Sequence, residues 1–311
     1  MFDLSVLICS HNPRADFLRR TLHALKEQNL PLENWELLLV DNASAQPLAA
    51  AWDLSWHPHA RHISESELGM SAARQRGMRE AASDLLIFID DDNVLDVNYL
   101  TRAREIKEGW PSLGVWGSGS IIPEYELQPG ADVGELIPYL AIRQTKRTCW
   151  SNVFPCLEAT PWGAGMCVRA KVADAYRRII KESTILISGR RGDVLLSGED
   201  VETSWVACHI GLGMGVFPEL KLTHLIAAKR VSPEYLVKLY EGTTISDALL
   251  VYKWTGVAPN SPYRPLNLLS SLKNLIVRRG FDRRIYYAKV RALAAARRII
   301  RSSQLGRDRR G

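Results

Sequence analysis

The run Leu85-Leu86-Ile87-Phe88-Ile89 is stopped by three consecutive aspartates, Asp90-Asp91-Asp92, and this junction constrains the fold more than any other stretch of the chain. Five apolar residues closed by charge read as a strand buried on both faces whose end emerges at the surface. Two earlier stretches have the same form. Leu4-Ser5-Val6-Leu7-Ile8 runs into Cys9-Ser10-His11-Asn12-Pro13, and Trp35-Glu36-Leu37-Leu38-Leu39-Val40 runs into Asp41-Asn42-Ala43-Ser44. Between them lie segments of helical character: Arg14–Gln28, with Phe17, Leu18, Leu22 and Leu25 at helical spacing, and Gly69–Met78. Strand, helix, strand, helix, strand is the rhythm of a parallel sheet, and such sheets bind ligands at the carboxyl ends of their strands. His11, Asn12, Asp41, Asn42 and Asp90–Asp92 are therefore expected to converge on one edge. In extended chain alternate side chains share a face, so Asp90 and Asp92 should face one way and Asp91 the other. That geometry suits a hard divalent cation, which completes its shell with water and substrate phosphates. A turn after a strand explains the same residues, since Asp and Asn favour turns and Asn93 follows.

The ordered set Ser5–Asn12, Val40–Ser44, Gly69–Arg74 and Phe88–Asn93 resembles a family 2 glycosyltransferase with the GT-A fold. Two later pieces extend the match: Trp162-Gly163-Ala164-Gly165-Met166 is similar to the small-residue stretch beside the donor sugar, and Gly198-Glu199-Asp200 to the motif that carries the catalytic base. The resemblance covers residues 3 to 226 and fades beyond them. It implies an α/β catalytic domain over 1–226, with a mostly parallel central sheet flanked by helices. Residues 1–100 would be its nucleotide-binding half and 101–226 its acceptor half. A basic helical extension, 227–311, follows.

Sugar transfer from a nucleotide sugar releases a diphosphate of growing negative charge, and a bound Mn or Mg ion would stabilise that leaving group. The resemblance makes Asp92 the direct ligand, with Asp90 or a water beside it. It also suggests His224 as a further ligand; a satisfied structural histidine is the equal alternative. Attack by an acceptor hydroxyl needs a base opposite the diphosphate. Asp200, in the first turn of a helix carrying Val201, Trp205 and Cys208, is the choice, with Glu199 and Glu202 as alternatives and Glu199 a possible acceptor contact. Helix capping explains an acid there equally simply. The resemblance puts Cys9, His11 and Asn42 around the base of the nucleotide and Asp91 near ribose or diphosphate. Arg74 offers a planar fork to a phosphate or base edge. Asp41 either joins that set or caps the turn after its strand. Trp162 either stacks on a sugar or packs, while Gly163, Ala164 and Gly165 would let a ligand approach closely. The expected partners are a UDP-type nucleotide sugar and a glycan or lipid-linked acceptor, and the expected reaction inverts the anomeric carbon.

A chain of 311 residues, 46% hydrophobic and 24% charged, can bury a proper core. The N-terminus enters a strand at once, which leaves no room for a signal peptide, and no apolar run approaches the ~18 residues of a membrane span. Cys9, Cys149, Cys156, Cys167 and Cys208 read as reduced thiols, although Cys149 and Cys156 are near enough in sequence to raise a disulfide or metal clip. The charge is lopsided: from Ser261 to Gly311 fourteen lysines and arginines face two aspartates, a net +12 that leaves −6 on the rest. Such a tail points to a polyanionic surface. The family-like pattern ends at His224, Val231–Lys253 reads as a helix and Gly256–Pro262 as a linker. Between Arg283 and Arg301, Tyr286, Val290, Leu293 and Ile300 share a helical face, with Arg284, Arg291 and Arg298 on the other; Leu268, Leu269, Leu272, Leu275 and Ile276 form another stripe. The expectation is a cytoplasmic enzyme held peripherally on the inner face of the membrane through this tail, with a dimer contact as the competing use and nucleic acid disfavoured. Two other classes are weighed against it. A sugar-phosphate nucleotidyltransferase would begin with a glycine-rich loop, which Cys9–Pro13 lacks, and the intact Asp90–Asp92 and Asp200 argue against a non-catalytic basic adaptor.

Overall fold

The computed structural model describes residues 2–183, 185, 195–260 and 280–308. The chain divides into two compact units: Met1–Glu126 with Ala141–Lys181 and Glu199–Ile226, and Leu127–Leu140 with Glu182–Gly198 and Ala227–Gly311.

The first unit is built on β1 (Leu4–Ser10), β2 (Trp35–Asn42), β3 (Ala60–Glu65), β4 (Leu85–Ile89), β5 (Asn93–Leu95), β6 (Leu113–Tyr125), β7 (Arg143–Gln144), β8 (Cys149–Ser151), β9 (Met166–Arg169) and β10 (Gly213–Ile226). They form one sheet in the order β3-β2-β1-β4-β9-β6-β10-β5, with β7 on β6 and β8 on β10. Every residue of β1 and β4 is buried, as the apolar runs require. β3, β2, β1 and β4 are parallel, and Leu4 pairs with Trp35 while Ser5 pairs with Leu86. Beyond β4 the parallel order is interrupted and resumes between β6 and β10. β9 runs antiparallel between β4 and β6, and β5, β7 and β8 are antiparallel too, so the sheet is mixed. Helices α1 (Ala15–Lys26), α2 (Leu48–Ala51), α3 (Met70–Glu80), α4 (Tyr99–Gly109), α5 (Ala170–Glu182) and α6 (Glu199–His209) connect the strands. Trp35, Tyr99, Trp116 and Phe217 are fully buried in the core, and full burial of a side chain the size of Phe stabilises by about 1.5–3 kcal/mol. Of the expected α6 stripe only Trp205 is buried, with Val201 and Cys208 half-buried, while Glu202, Thr203, Ser204, Val206 and Ala207 lie inside.

In the second unit, α7 (Pro233–Thr255) starts where Pro233 presets the first turn and the Ser232 hydroxyl accepts the Tyr235 N–H at 3.3 Å, and it ends at Gly256 with φ +72°. α8 (Gly280–Asp308) packs along α7 in the same direction. Arg284 meets Glu234 at 3.1 Å, Arg291 meets Glu241 at 2.6 Å, and Gln304 donates to the Tyr252 hydroxyl at 2.8 Å. Ala288, Ala292, Ala296 and Ile300 make the buried seam of α8. The sequence expectation was a face of Tyr286, Val290, Leu293 and Ile300. Only Ile300 lies in the seam, because alanines, which weigh little in an apolar pattern, allow close approach of two helices. Two of the three heptad-spaced arginines are turned to glutamates of α7 rather than outward. The Leu268–Ile276 stripe lies outside the described residues, as do Ser261 and Pro262 of the linker. Among the described residues no helix is long and apolar enough to cross a membrane.

Candidate active site

The carboxyl ends of β1, β2 and β4 bring the expected polar residues to one edge, and each is held differently. After Ile89 the chain turns: Asn93 N–H donates to Asp90 O at 3.1 Å, and Asn93 Oδ1 accepts the Asp90 N–H at 3.1 Å. This turn cancels the strand alternation expected of the aspartates. Asp90 faces the Arg74 guanidinium at 3.4 Å, Asp91 accepts from the Ser10 hydroxyl, and Asp92 lies 3.4 Å from His224 Nε2. β10 carries His224 to that point, where it pairs with Asn93 in β5. Asp90 and Asp92 are therefore engaged separately, contrary to the shared face expected. Among the described residues no three His, Cys, Asp or Glu side chains are grouped as a metal site. The pair that remains, a carboxylate oxygen and an imidazole nitrogen on mostly buried side chains, is a donor set that Mn accepts, with phosphate and water left to fill the shell.

Arg74 is the hub. Its side chain is 14% exposed, it lies 3.6 Å from Glu199 Oε2 in addition to Asp90, and its guanidinium sits 5.7 Å from the Phe88 ring centre. Burial works against its charge, and the fields of Asp90, Glu199 and Asp200 outweigh burial and hold it firmly protonated. Glu199 is 5% exposed and also accepts from the Ser71 hydroxyl. Asp200 is half-buried, with Oδ2 accepting the Gly163 N–H at 2.8 Å and Oδ1 the Val201 N–H at 2.9 Å. A cavity of about 10 Å³, room for one water, lies among Ser71, Arg74, Phe88, Tyr176, Glu199 and Asp200.

Several residues expected to meet ligand are turned to the protein itself. Cys9 is buried, and burial pushes its thiol up to about 12. His11 Nδ1 donates to Asn42 O at 2.8 Å, so Nε2 accepts from Asn12 Nδ2 at 2.9 Å. Asn42 spans the loop before α3, donating to Glu67 O at 2.7 Å and accepting the Gly69 N–H at 2.8 Å. Asp41 receives the N–H groups of Ser44 at 3.0 Å and Leu48 at 2.9 Å, the capping use weighed for it. The space beside the small residues is filled by protein. A Cβ on Gly163 would stand 2.7 Å from Arg74 Nη2, and one on Gly165, at φ +73°, would stand 2.2 Å from the Tyr99 hydroxyl. Ala164 is buried. Trp162 packs on the core and carries the Arg143 guanidinium 3.8 Å from its ring centre. Cys149 and Cys156 are free thiols.

Ser71, Arg143 and Tyr176 were not foreseen. Ser71 sits inside the Gly69–Arg74 piece and was legible as a polar residue opening a helix; Arg143 lies in a stretch with no periodicity, and nothing in the sequence marks it.

Residues 5–119 match the family described as Glycosyl transferase family 2. No curated protein matches the chain. Among solved structures it is similar to S. aureus TarS 1-349 in complex with UDP-GlcNAc, at 14% identity and TM-score 0.52, covering 98% of this chain and 92% of that one. It is also similar to the mannosyltransferase PcManGT from Pyrobaculum calidifontis in complex with GDP-Man and Mn2+, at 17% identity and TM-score 0.53, covering 94% and 73%. The likeness places the chain in the GT-A fold.

Proposed function

We propose that the chain transfers a sugar from a nucleoside diphosphate sugar, UDP-linked by preference, to a hydroxyl of a glycan or lipid-linked acceptor, with inversion at the anomeric carbon. The observation that carries this reading is the bridge made by Arg74, which pairs with Asp90 at the end of β4 and with Glu199 at the start of α6, in the field of Asp200. This supports a base close to the strand ends, where a diphosphate would bind. Complexes of the similar structures with UDP-GlcNAc and with GDP-Man support a nucleotide sugar as donor.

Asp200 is the better base than Glu199, because Glu199 is buried and ion-paired to Arg74, whereas Asp200 is half-buried and accepts from neutral backbone N–H groups. Asp92 and His224 would hold a Mn or Mg ion, which when bound neutralises charge on a departing diphosphate. Residues 1–226 serve as catalytic body, with 1–100 for nucleotide and 101–226 for acceptor, and 227–311 as the basic extension. Exposed Arg283, Lys289, Arg298 and Arg301 on α8 support peripheral attachment to an anionic membrane, where polysaccharide acceptors are built.

The test is Asp200→Asn. It keeps the shape of the side chain and the Gly163 contact but cannot take a proton, and loss of a general base costs about a hundredfold to ten-thousandfold in rate. UDP-sugar affinity should persist. Near wild-type turnover by the Asn variant, or a product of retained configuration, would overturn the reading.

A further inference from the structure

Two half-buried arginines stand around Asp200, and the fold treats them differently. Arg74 meets two carboxylates. Arg143, presented by β7 opposite Ile121 of β6, has no ion pair among the described residues. It donates from Nη1 to Thr160 O at 2.9 Å and lies 3.8 Å over the Trp162 ring. Among the described residues, one carbonyl and one aromatic face leave most of the five guanidinium N–H donors open. A half-buried cation without a counter-ion is open to an anionic partner, for which an aromatic face substitutes only in part. Burial pulls Arg143 down to about 10, partly countered by the fields of Asp200 and Cys149. Trp162, on which it lies, precedes Gly163, whose N–H is donated to Asp200 Oδ2 at 2.8 Å, so the guanidinium belongs to the Asp200 side of the site.

We propose that Arg143, held flat on Trp162 beside Asp200, is a subsite for an anionic oxygen group, a phosphate or carboxylate, carried by the acceptor. This rests on Asp200 being the base. A planar fork with adjacent free N–H groups matches two oxygens of such a group, and its bidentate geometry would orient the attacking hydroxyl as well as bind the acceptor. The enzyme then selects acidic acceptors, such as a polyol phosphate or a uronic acid, over neutral ones.

Calorimetric titration of the full chain separates the sources of the anion. Wild type, Arg143→Gln and Arg143→Lys are each titrated with UDP in Mn2+, then with sn-glycerol 3-phosphate and glucuronate, and with neutral glycerol and glucose. Wild type should bind the two anionic probes and not the neutral ones. Arg143→Gln should weaken the anionic probes at least tenfold, and Arg143→Lys should fall between, since it keeps the charge but loses the fork. UDP affinity should stay within twofold throughout, and circular dichroism checks that each variant is folded; if the Gln variant is not, the Lys variant alone carries the comparison. Wild type that binds UDP but no anionic probe overturns the proposal, as does equal probe binding by the variants. A parallel loss of UDP affinity also overturns it by assigning Arg143 to the donor diphosphate. Wild type that binds glycerol 3-phosphate but not UDP would uphold the subsite and overturn the donor reading instead.

Discussion

The Arg74 guanidinium fills the volume that a β-carbon on Gly163 would need, at 2.7 Å from Nη2, so two residues far apart in sequence are fitted to each other. The blocking group is the far end of a long side chain. Gly163→Ala would therefore relieve the clash by pushing Arg74 off Asp90 and Glu199 rather than by distorting backbone. We expect a stability loss of about 1–3 kcal/mol, typical of overpacking, with a larger proportional loss of turnover. In an Arg74→Ala background the same substitution should cost much less, because the clash is gone. Equal cost in the two backgrounds, read by urea unfolding, would show that the glycine serves something else.

A second expectation concerns the pair Asp92 and His224. Asp92→Asn keeps the volume and removes the charge, while His224→Gln keeps a polar side chain of similar reach in a buried place. Mn2+-dependent UDP binding should fall at least tenfold in the first and less in the second, with melting temperature little changed in Asp92→Asn. UDP binding in the presence of a chelator should be the same in wild type and Asp92→Asn. Undiminished Mn2+ dependence in Asp92→Asn would remove this pair from the cation.

How much of this was legible depended on local signal. β1, β2 and β4 are apolar runs, and a run of that kind reads as a buried strand without further help. β3 was passed over because Ile63 is its one buried residue; its strand conformation comes from pairing with β2 at the sheet edge. The antiparallel β9 could not be read either, since Met166–Arg169 owes its direction to partners remote in sequence on both sides. The same limit applies at the site. Polar residues at strand ends were visible, but whether a carboxylate faces ligand or backbone is a tertiary fact. Asp41 caps a turn, Asp90 turns to Arg74 and Asp92 to His224, although all three look alike in sequence.

The α7–α8 seam should tolerate charge loss better than added volume. Arg291→Ala removes an ion pair whose arginine is 57% exposed, and exposed pairs are worth about 0.2–1 kcal/mol. Ala292 has no exposed surface, so Ala292→Leu must part the helices, at a cost of about 1–3 kcal/mol. Thermal unfolding of the two variants should rank them in that order. The reverse ranking would mean that the seam is loose and that the glutamates of α7 hold α8 in place.

The last expectation is a pH dependence set by His57. Its ring is 3% exposed, it lies edge-on to Trp35 at 4.2 Å between centres, and Nδ1 accepts the His59 N–H at 3.1 Å, which puts the single proton on Nε2. Burial, helped by the charge of His59, lowers its pKa from 6.5 to about 4. Between those values the unfolded chain binds the proton and the folded chain refuses it. The stability owed to a neutral His57 is therefore complete above pH 6.5, declines as the pH falls through that window, and is gone below about 4. The slope from this one group can reach ~1.4 kcal/mol per pH unit. His57→Gln cannot titrate, yet its side-chain oxygen can still accept the His59 N–H. Urea unfolding at intervals from pH 7 to 4.5 should give a steeper decline for wild type than for the Gln variant, with the two curves converging toward the acid end. Parallel curves would mean that His57 takes up its proton in the folded protein as readily as in the unfolded chain.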